Sequence, residues 1–249
     1  MTTRRSLLAA PVLLLSARAE AATEPGRQPP RIATPRQVRL RPGAAPVRLQ
    51  ARITERGQSL AVRFEGPGAP PEVFDFTSWY GYARVFAVKT LRGRDLVFAA
   101  FEGSTGTGTY QELQAVIGQD DDGIARILAL ETLHYRLTGP CGGGSWLAVA
   151  AETGAEGMRL AQTWRRQEEN CPPRRGGPRS QRLAWTTTLG WSGRGVLTAP
   201  AGQPDAPAPR RRVEEVRART LAWLAAEPRR RITNDDLDAL GIYDVLSDG

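Results

Sequence analysis

The sequence contains a single histidine, His134, and this scarcity limits the chemistry available to the chain. A zinc site of the usual kind groups several histidine, cysteine or carboxylate ligands, and a Ser-His-Asp arrangement would depend entirely on this one imidazole. His134 follows Leu133 in a strand-like run, where a structural role is the simpler interpretation. From the sequence we therefore assign no catalytic residue, no metal and no cofactor.

Long hydrophobic runs are also missing. The apolar stretch near the start of the chain, Leu7–Leu15, is only about nine residues, which is too short to cross a bilayer core of about 30 Å as a helix. Arg4 and Arg5 precede it, and three alanines with A-x-A spacing follow it between positions 17 and 21. This order is typical of a secretory signal peptide. We expect a soluble periplasmic or secreted protein with no transmembrane segment.

The arginine pair suggests a particular export route. Thr3-Arg4-Arg5-Ser6-Leu7-Leu8 is similar to the twin-arginine pattern, which is an address for proteins that fold before export. The general secretion route stays open, because any signal peptide needs cationic residues at its start.

Lysine is nearly absent, since Lys89 is the sole lysine among 34 basic residues, and the formal net charge is +8. So basic a chain would ordinarily suggest nucleic-acid binding. The predicted export argues against it, and so does the absence of stacking aromatics interleaved with the arginines. We expect no nucleic-acid partner, and an envelope protein or glycan is the partner class that remains.

Cysteine is limited to Cys141 and Cys171. Two cysteines in an exported protein are expected to form a disulfide. The runs between them, Trp146–Glu152 and Met158–Arg165, resemble the strands of a hairpin.

The pairing register of this hairpin supports the disulfide. If Ala151 lies opposite Ala161, the constant sum of opposed residue numbers in an antiparallel pair also places Cys141 opposite Cys171. The bridge would then close the open end of the hairpin.

Period-2 hydrophobic alternation predicts further hairpins along the chain. In the first, two runs fold about an Arg-Gly turn, and every opposed pair is apolar: Ile53 with Leu60, Ala51 with Val62, and Leu49 with Phe64. A second hairpin joins Arg84–Leu91 to Leu96–Glu102. A third joins Tyr110–Ile117 to Ile124–Leu137, with Ile117 opposite Ile124 and Leu113 opposite Leu128. Gln181–Leu189 and Gly195–Thr198 add one or two more strands.

These runs predict an all-β protein, an antiparallel meander of about nine to eleven strands that forms a barrel or a sandwich. A short helical tail should follow it. We divide the chain into a signal peptide (1–21), a flexible basic Pro-rich segment (22–45), a β domain (46–198), a Pro/Ala linker (199–209) and a helical tail (210–249).

The tail contains a helix predicted over Arg212–Glu227 and a shorter one over Asp235–Leu240. The longer helix carries an apolar stripe that includes Trp223 and Leu224. An isolated helix of this length is marginal in water. It must therefore pack on the β domain or present Trp223 to a partner, and the sequence leaves both possibilities open.

Candidate binding residues come from an aromatic cluster around Trp79, Tyr80 and Tyr82, to which we add Trp223. Exposed tryptophan and tyrosine side chains can stack on a sugar or dock a partner. The alternative is that the cluster closes one end of the hydrophobic core.

The pattern as a whole favours a binding or cell-envelope interaction module. One alternative is a hydrolase of envelope polymers, which would use a carboxylate pair drawn from Glu102, Glu112 and Glu131. Another is a barrel that binds a small apolar ligand.

Overall fold

The computed structural model describes residues 31–54, 59–78, 82–139, 143–155, 157–168 and 180–246. The predicted all-β class is confirmed, with twelve strands in two sheets and two helices. In chain order, the elements are β1 (Arg36–Val38), β2 (Val47–Ile53), β3 (Ser59–Glu65), β4 (Val73–Thr77), β5 (Arg84–Leu91), β6 (Arg94–Gly106), β7 (Thr109–Gln119), β8 (Ala125–Thr138), β9 (Gly144–Thr153), β10 (Gly157–Gln167), β11 (Ser180–Gly190), α1 (Ala208–Ala226), β12 (Arg231–Ile232) and α2 (Asn234–Ala239).

The strands form a five-stranded sheet in the order β1-β2-β3-β4-β12 and a seven-stranded sheet in the order β11-β10-β9-β8-β7-β6-β5. Each neighbouring pair is antiparallel except β12, which runs parallel to β4. The seven-stranded meander is strongly coiled, so that the ammonium group of Lys89 on β5 donates to the carbonyl of Ala151 on β9. As far as the structure describes it, this sheet does not close into a barrel.

The first two predicted hairpins are confirmed. In β2 and β3, Ile53 lies opposite Leu60 and Leu49 opposite Phe64, in the register that the alternation predicts. Between β5 and β6 the turn is shorter than the predicted four residues. Arg92 (φ 51°) and Gly93 (φ 75°) make a two-residue turn with both φ angles positive, the type that matches the twist of paired strands.

The third hairpin is confirmed, but its predicted register is wrong. Ile117 lies opposite Ile127 rather than Ile124, and Leu113 lies opposite Thr132 rather than Leu128. The strand β7 continues to Gln119, because the next residue, Asp120, is buried and its carboxylate accepts hydrogen bonds instead of pointing to solvent. Two β-bulges take up the extra residues of β8.

The predicted hairpin of β9 and β10 is confirmed, but its register differs from the predicted one by one residue. Ala151 lies opposite Leu160, not Ala161, and Leu147 therefore lies opposite Trp164. This register places large apolar side chains opposite each other on the buried face. Cys141 and Cys171 lie outside the described residues, so their disulfide stays a prediction.

The middle strands of the seven-stranded sheet, β6, β7 and β8, are buried on both faces over most of their length. Alternate residues of β6 contribute to two hydrophobic clusters: Val97, Ala99 and Phe101 pack against the five-stranded sheet, whereas Leu96 and Phe98 pack within the coiled sheet. Strands buried on both faces read as nearly continuous apolar runs, as β8 does over Ile127–Leu130.

The helix α1 packs on the seven-stranded sheet, the first of the two possibilities left open by the sequence. β8 pairs with β9 only over His134–Thr138, and α1 lies against the part of β8 that has no pairing with β9. Leu224 on α1 is completely buried. The segment Gly195–Thr198 forms a single bridge, between Thr198 and Gly190, rather than a strand.

Candidate functional site

The predicted binding residues are not brought together in one described site. Trp79 and Tyr80 lie outside the described residues. Tyr82 is 57% exposed just before β5. Trp223 is half-buried against the core, and the guanidinium carbon of Arg229 lies 4.2 Å from the centroid of its ring system.

A row of buried polar side chains crosses the seven-stranded sheet. Glu102 on β6 lies directly opposite Glu112 on β7, and Glu112 lies opposite His134 on β8. Both glutamates are only 2% exposed. Directly opposed residues have Cβ atoms about 5 Å apart, so the two carboxylates are close neighbours.

Each glutamate is held by groups of the fold. Glu102 accepts a hydrogen bond from the hydroxyl of Ser78 over 2.5 Å and another from the backbone N–H of Tyr82 over 3.2 Å. Glu112 forms an ion pair with Arg84 over 2.6 Å. The Arg84 guanidinium also donates to the carbonyl of Tyr82.

Burial dominates the electrostatics of this row. Burial raises the pKa of Glu112 above its ordinary value of 4.5, and the nearby Glu102 acts in the same direction, although Arg84 opposes both. Burial, aided by the charge of Arg84, lowers the pKa of His134 below 6.5. His134 is therefore a neutral imidazole at pH 7, which suits a structural residue.

The third candidate carboxylate, Glu131, lies apart from this pair. It accepts two hydrogen bonds from Arg217 of α1. Among the described residues, no group of three histidine, cysteine, aspartate or glutamate side chains is placed to bind a metal ion.

A cleft of about 320 Å³ opens beside Arg84, between the two sheets. Its walls come from the segment that precedes β1, from β2 and β3, and from the start of β5. The lining residues are Arg31, Ile32, Ala33, Thr34, Ala51, Arg52, Ile53, Leu60, Arg84 and Val85.

Three arginines give the cleft its charge. Arg31 and Arg52 are exposed at its edge, whereas Arg84 is 5% exposed and connects the cleft to the buried Glu112. As far as the structure describes the lining, it contains no carboxylate side chain. The described lining therefore carries more positive than negative charge, although the charge of Arg84 is balanced by Glu112, and this excess favours anions.

No pattern in the sequence predicts this cleft. Its charged residues come from three separated parts of the chain, and arginine is abundant throughout, so nothing distinguished these three from the others. Glu112 was noticed only as a possible catalytic acid.

The chain matches no protein-family model, and comparisons with curated proteins and with solved structures return no significant similarity. Among the described residues, no helix is both long and apolar enough to cross a membrane.

Proposed function

We propose that this protein is a binding protein for a small anion, which it holds in the cleft beside Arg84. The observation that carries the proposal is the lining of the cleft, which includes three arginine residues and no described carboxylate. Guanidinium groups recognise carboxylates and phosphates through paired hydrogen bonds. The volume of the cleft lies at the lower end of the range for small-molecule sites, about 300–1,000 Å³.

The buried glutamates support this proposal by positioning an arginine. The ion pair with Glu112 fixes the guanidinium of Arg84 at the edge of the cleft before any ligand arrives. A pre-positioned group loses less conformational entropy when the ligand binds. Glu112 also offsets the cost of burying the Arg84 charge.

The hydrolase alternative has weaker support. Glu102 and Glu112 are close, but each is 2% exposed, and neither lines the cleft. A glycosidase needs both carboxyl groups at the scissile bond. The other alternative, an apolar ligand inside a barrel, lacks a closed barrel to hold it, because the coiled sheet is open and its concave face is filled by side chains such as Phe98.

The proposal takes the protein as periplasmic or secreted, on the signal-like pattern of residues 1–21 alone. Binding an anion outside the cytoplasm is compatible with a role in the cell envelope. It needs no nucleic acid and no catalytic group.

An NMR titration with inorganic phosphate tests the proposal. We expect saturable amide shifts at Ala51, Ile53 and Val85, and weaker binding at higher ionic strength. The substitution Arg31→Gln should weaken binding about three- to tenfold, as expected for the loss of a charged hydrogen bond, because the Arg31 guanidinium lies at the start of β5 beside Arg84. Because Arg31 is exposed, this variant should fold normally.

Arg48→Gln is the matched control, because Arg48 is equally classed as exposed but does not line the cleft. Its affinity for phosphate should equal that of the unmodified chain. The proposal is wrong if phosphate causes no saturable shifts at the cleft, or if the two variants lose affinity equally.

A further inference from the structure

One wall of the cleft is apolar. It is formed by Ala51 and Ile53 of β2, Leu60 of β3 and Val85 of β5, and Ile32 lies beside them. This wall provides more apolar surface than recognition of an inorganic ion requires.

The wall is an uncovered part of the sandwich core. On β2, the core-facing side chains Val47 and Leu49 are 4% and 0% exposed. Ala51 and Ile53 continue the same face, but they are only partly buried. The five-stranded sheet and β5 therefore separate here, and the described chain leaves core-type surface open to the cleft.

The charged groups lie around this apolar surface rather than within it. Arg84 forms its ion pair with Glu112 on the side of the seven-stranded sheet. The guanidinium group of Arg31 donates a hydrogen bond to the carbonyl of Ala83, just before β5. A ligand can thus pair its charge with the guanidinium groups and lay an apolar portion along Ala51 and Ile53.

The size of the cleft limits that apolar portion. A volume of about 320 Å³ equals that of roughly ten water molecules in the liquid. It therefore has room for about ten non-hydrogen atoms, of which an anionic head uses three or four.

We propose that the anion is amphipathic, with a single carboxylate or similar head and an unbranched apolar chain of about six or seven carbons beyond the head. This inference rests on the proposed function, because it names the class of ligand that the same cleft takes. The apolar chain covers the exposed part of the β2 face, and the head pairs with the arginines.

A chain-length series tests this ligand class by calorimetry on the purified full chain. The probes are acetate, butyrate, hexanoate and octanoate, with octanamide as the uncharged analogue of the longest one. We expect affinity to rise about three- to fourfold for each added methylene, the gain for burying one such group. The rise should stop near octanoate, when the cleft is full.

Two alanine variants test the location of the chain. Ala51→Leu extends a larger side chain into the cleft, and it should lower octanoate affinity at least tenfold while leaving acetate affinity nearly unchanged. Ala61→Leu is the matched control, because Ala61 is partly exposed on the neighbouring strand and does not line the cleft. This control should bind octanoate normally.

Each outcome decides between the two proposals. A flat series, with acetate bound as tightly as octanoate, overturns the amphipathic ligand and leaves the anion site standing. Octanamide binding as tightly as octanoate overturns the need for charge, and with it both proposals. A rising series that Ala51→Leu and Ala61→Leu affect equally shows that the chain lies elsewhere, and it overturns the inference.

Discussion

The guanidinium group of Arg217 on α1 donates two hydrogen bonds to the carboxylate of Glu131 on β8, over 2.6 and 3.0 Å. The two side chains are 1% and 4% exposed, so this ion pair is removed from water. It joins the helix to the part of β8 that has no pairing with β9. The pair therefore fixes where α1 sits on the sheet.

We expect Arg217→Ala to lower the free energy of unfolding by about 3–5 kcal/mol, because the change leaves the Glu131 carboxylate buried without its partner. Urea denaturation at neutral pH measures this. The matched control is Arg63→Ala, which breaks the exposed Arg63–Glu65 pair and should cost at most about 1 kcal/mol. Equal effects of the two changes would show that the buried pair is not a special attachment of α1.

The apolar contacts of α1 lead to a second prediction. Leu224 is completely buried in the core between the sheets. Leu224→Ala should therefore cost about 2–5 kcal/mol of stability, through lost burial and the cavity it leaves. Glu215→Ala, at an exposed position of the same helix, should change stability by no more than about 0.5 kcal/mol. A loss below about 1 kcal/mol for Leu224→Ala would mean that α1 detaches easily from the sheet.

The single histidine predicts a pH dependence of stability. The pKa of His134 is lowered in the folded protein, mainly by burial, so the unfolded chain binds the proton more readily. The contribution of the neutral His134 side chain to the free energy of unfolding is complete above the ordinary pKa of 6.5. It is lost as the pH falls from 6.5 through the lowered pKa of the folded protein. The histidine signal in an NMR titration should have its midpoint below 6.5.

The variant His134→Gln isolates this contribution. Between about pH 7.5 and pH 5.5 it should lose less stability than the unmodified chain, measured by urea denaturation at each pH. A titration midpoint of His134 at or above 6.5, or the same pH dependence of stability in both proteins, would contradict a lowered pKa of His134 in the folded protein.

The disulfide between Cys141 and Cys171 is the fourth prediction. In the described hairpin Gly144 lies opposite Gln167, so the cysteines lie three and four residues beyond the last pair. Closing this loop should add on the order of 3–4 kcal/mol. Peptide mapping without reductant, on protein isolated from the periplasm or the medium, should recover the two cysteines as one linked peptide pair. Recovery of both as free thiols would disprove the bond.

The local part of the fold was predictable from the sequence. Leu49, Ala51 and Ile53 alternate with arginine, glutamine and threonine beside a short turn, and this pattern alone determines their pairing with β3. The apolar stripe of α1 that includes Leu224 was predictable for the same reason, because the spacing of hydrophobic residues along a helix indicates which of its faces is buried.

Registers that depend on buried polar residues were not predictable. Asp120 begins a run of three aspartates that is typical of a solvated turn, but it is fully buried beside Arg126, with which it forms an ion pair over 2.8 Å. The ion pair between Asp120 and Arg126 lengthens β7 and shifts the pairing register of the hairpin. The register of β9 and β10 also differs from the predicted one, here with the apolar pair Trp164 and Leu147 opposite each other.

The candidate site depends on contacts between distant parts of the chain. The cleft is lined by Arg31, Arg52 and Arg84, which lie in separate parts of the chain. They line one cleft only because the first sheet packs across β5. The pairing of Glu112 with Arg84 likewise needs β5, β6 and β7 in register. No local pattern predicts such a site, and the two described aromatic candidates, Tyr82 and Trp223, do not line it.

The most direct test of the ligand site is a crystal structure of the chain grown with octanoate. Our account predicts a carboxylate within about 3 Å of the guanidinium of Arg84 or Arg31, with the alkyl chain along Ala51 and Ile53. Octanoate bound elsewhere, or a cleft filled by the protein's own residues, would contradict it.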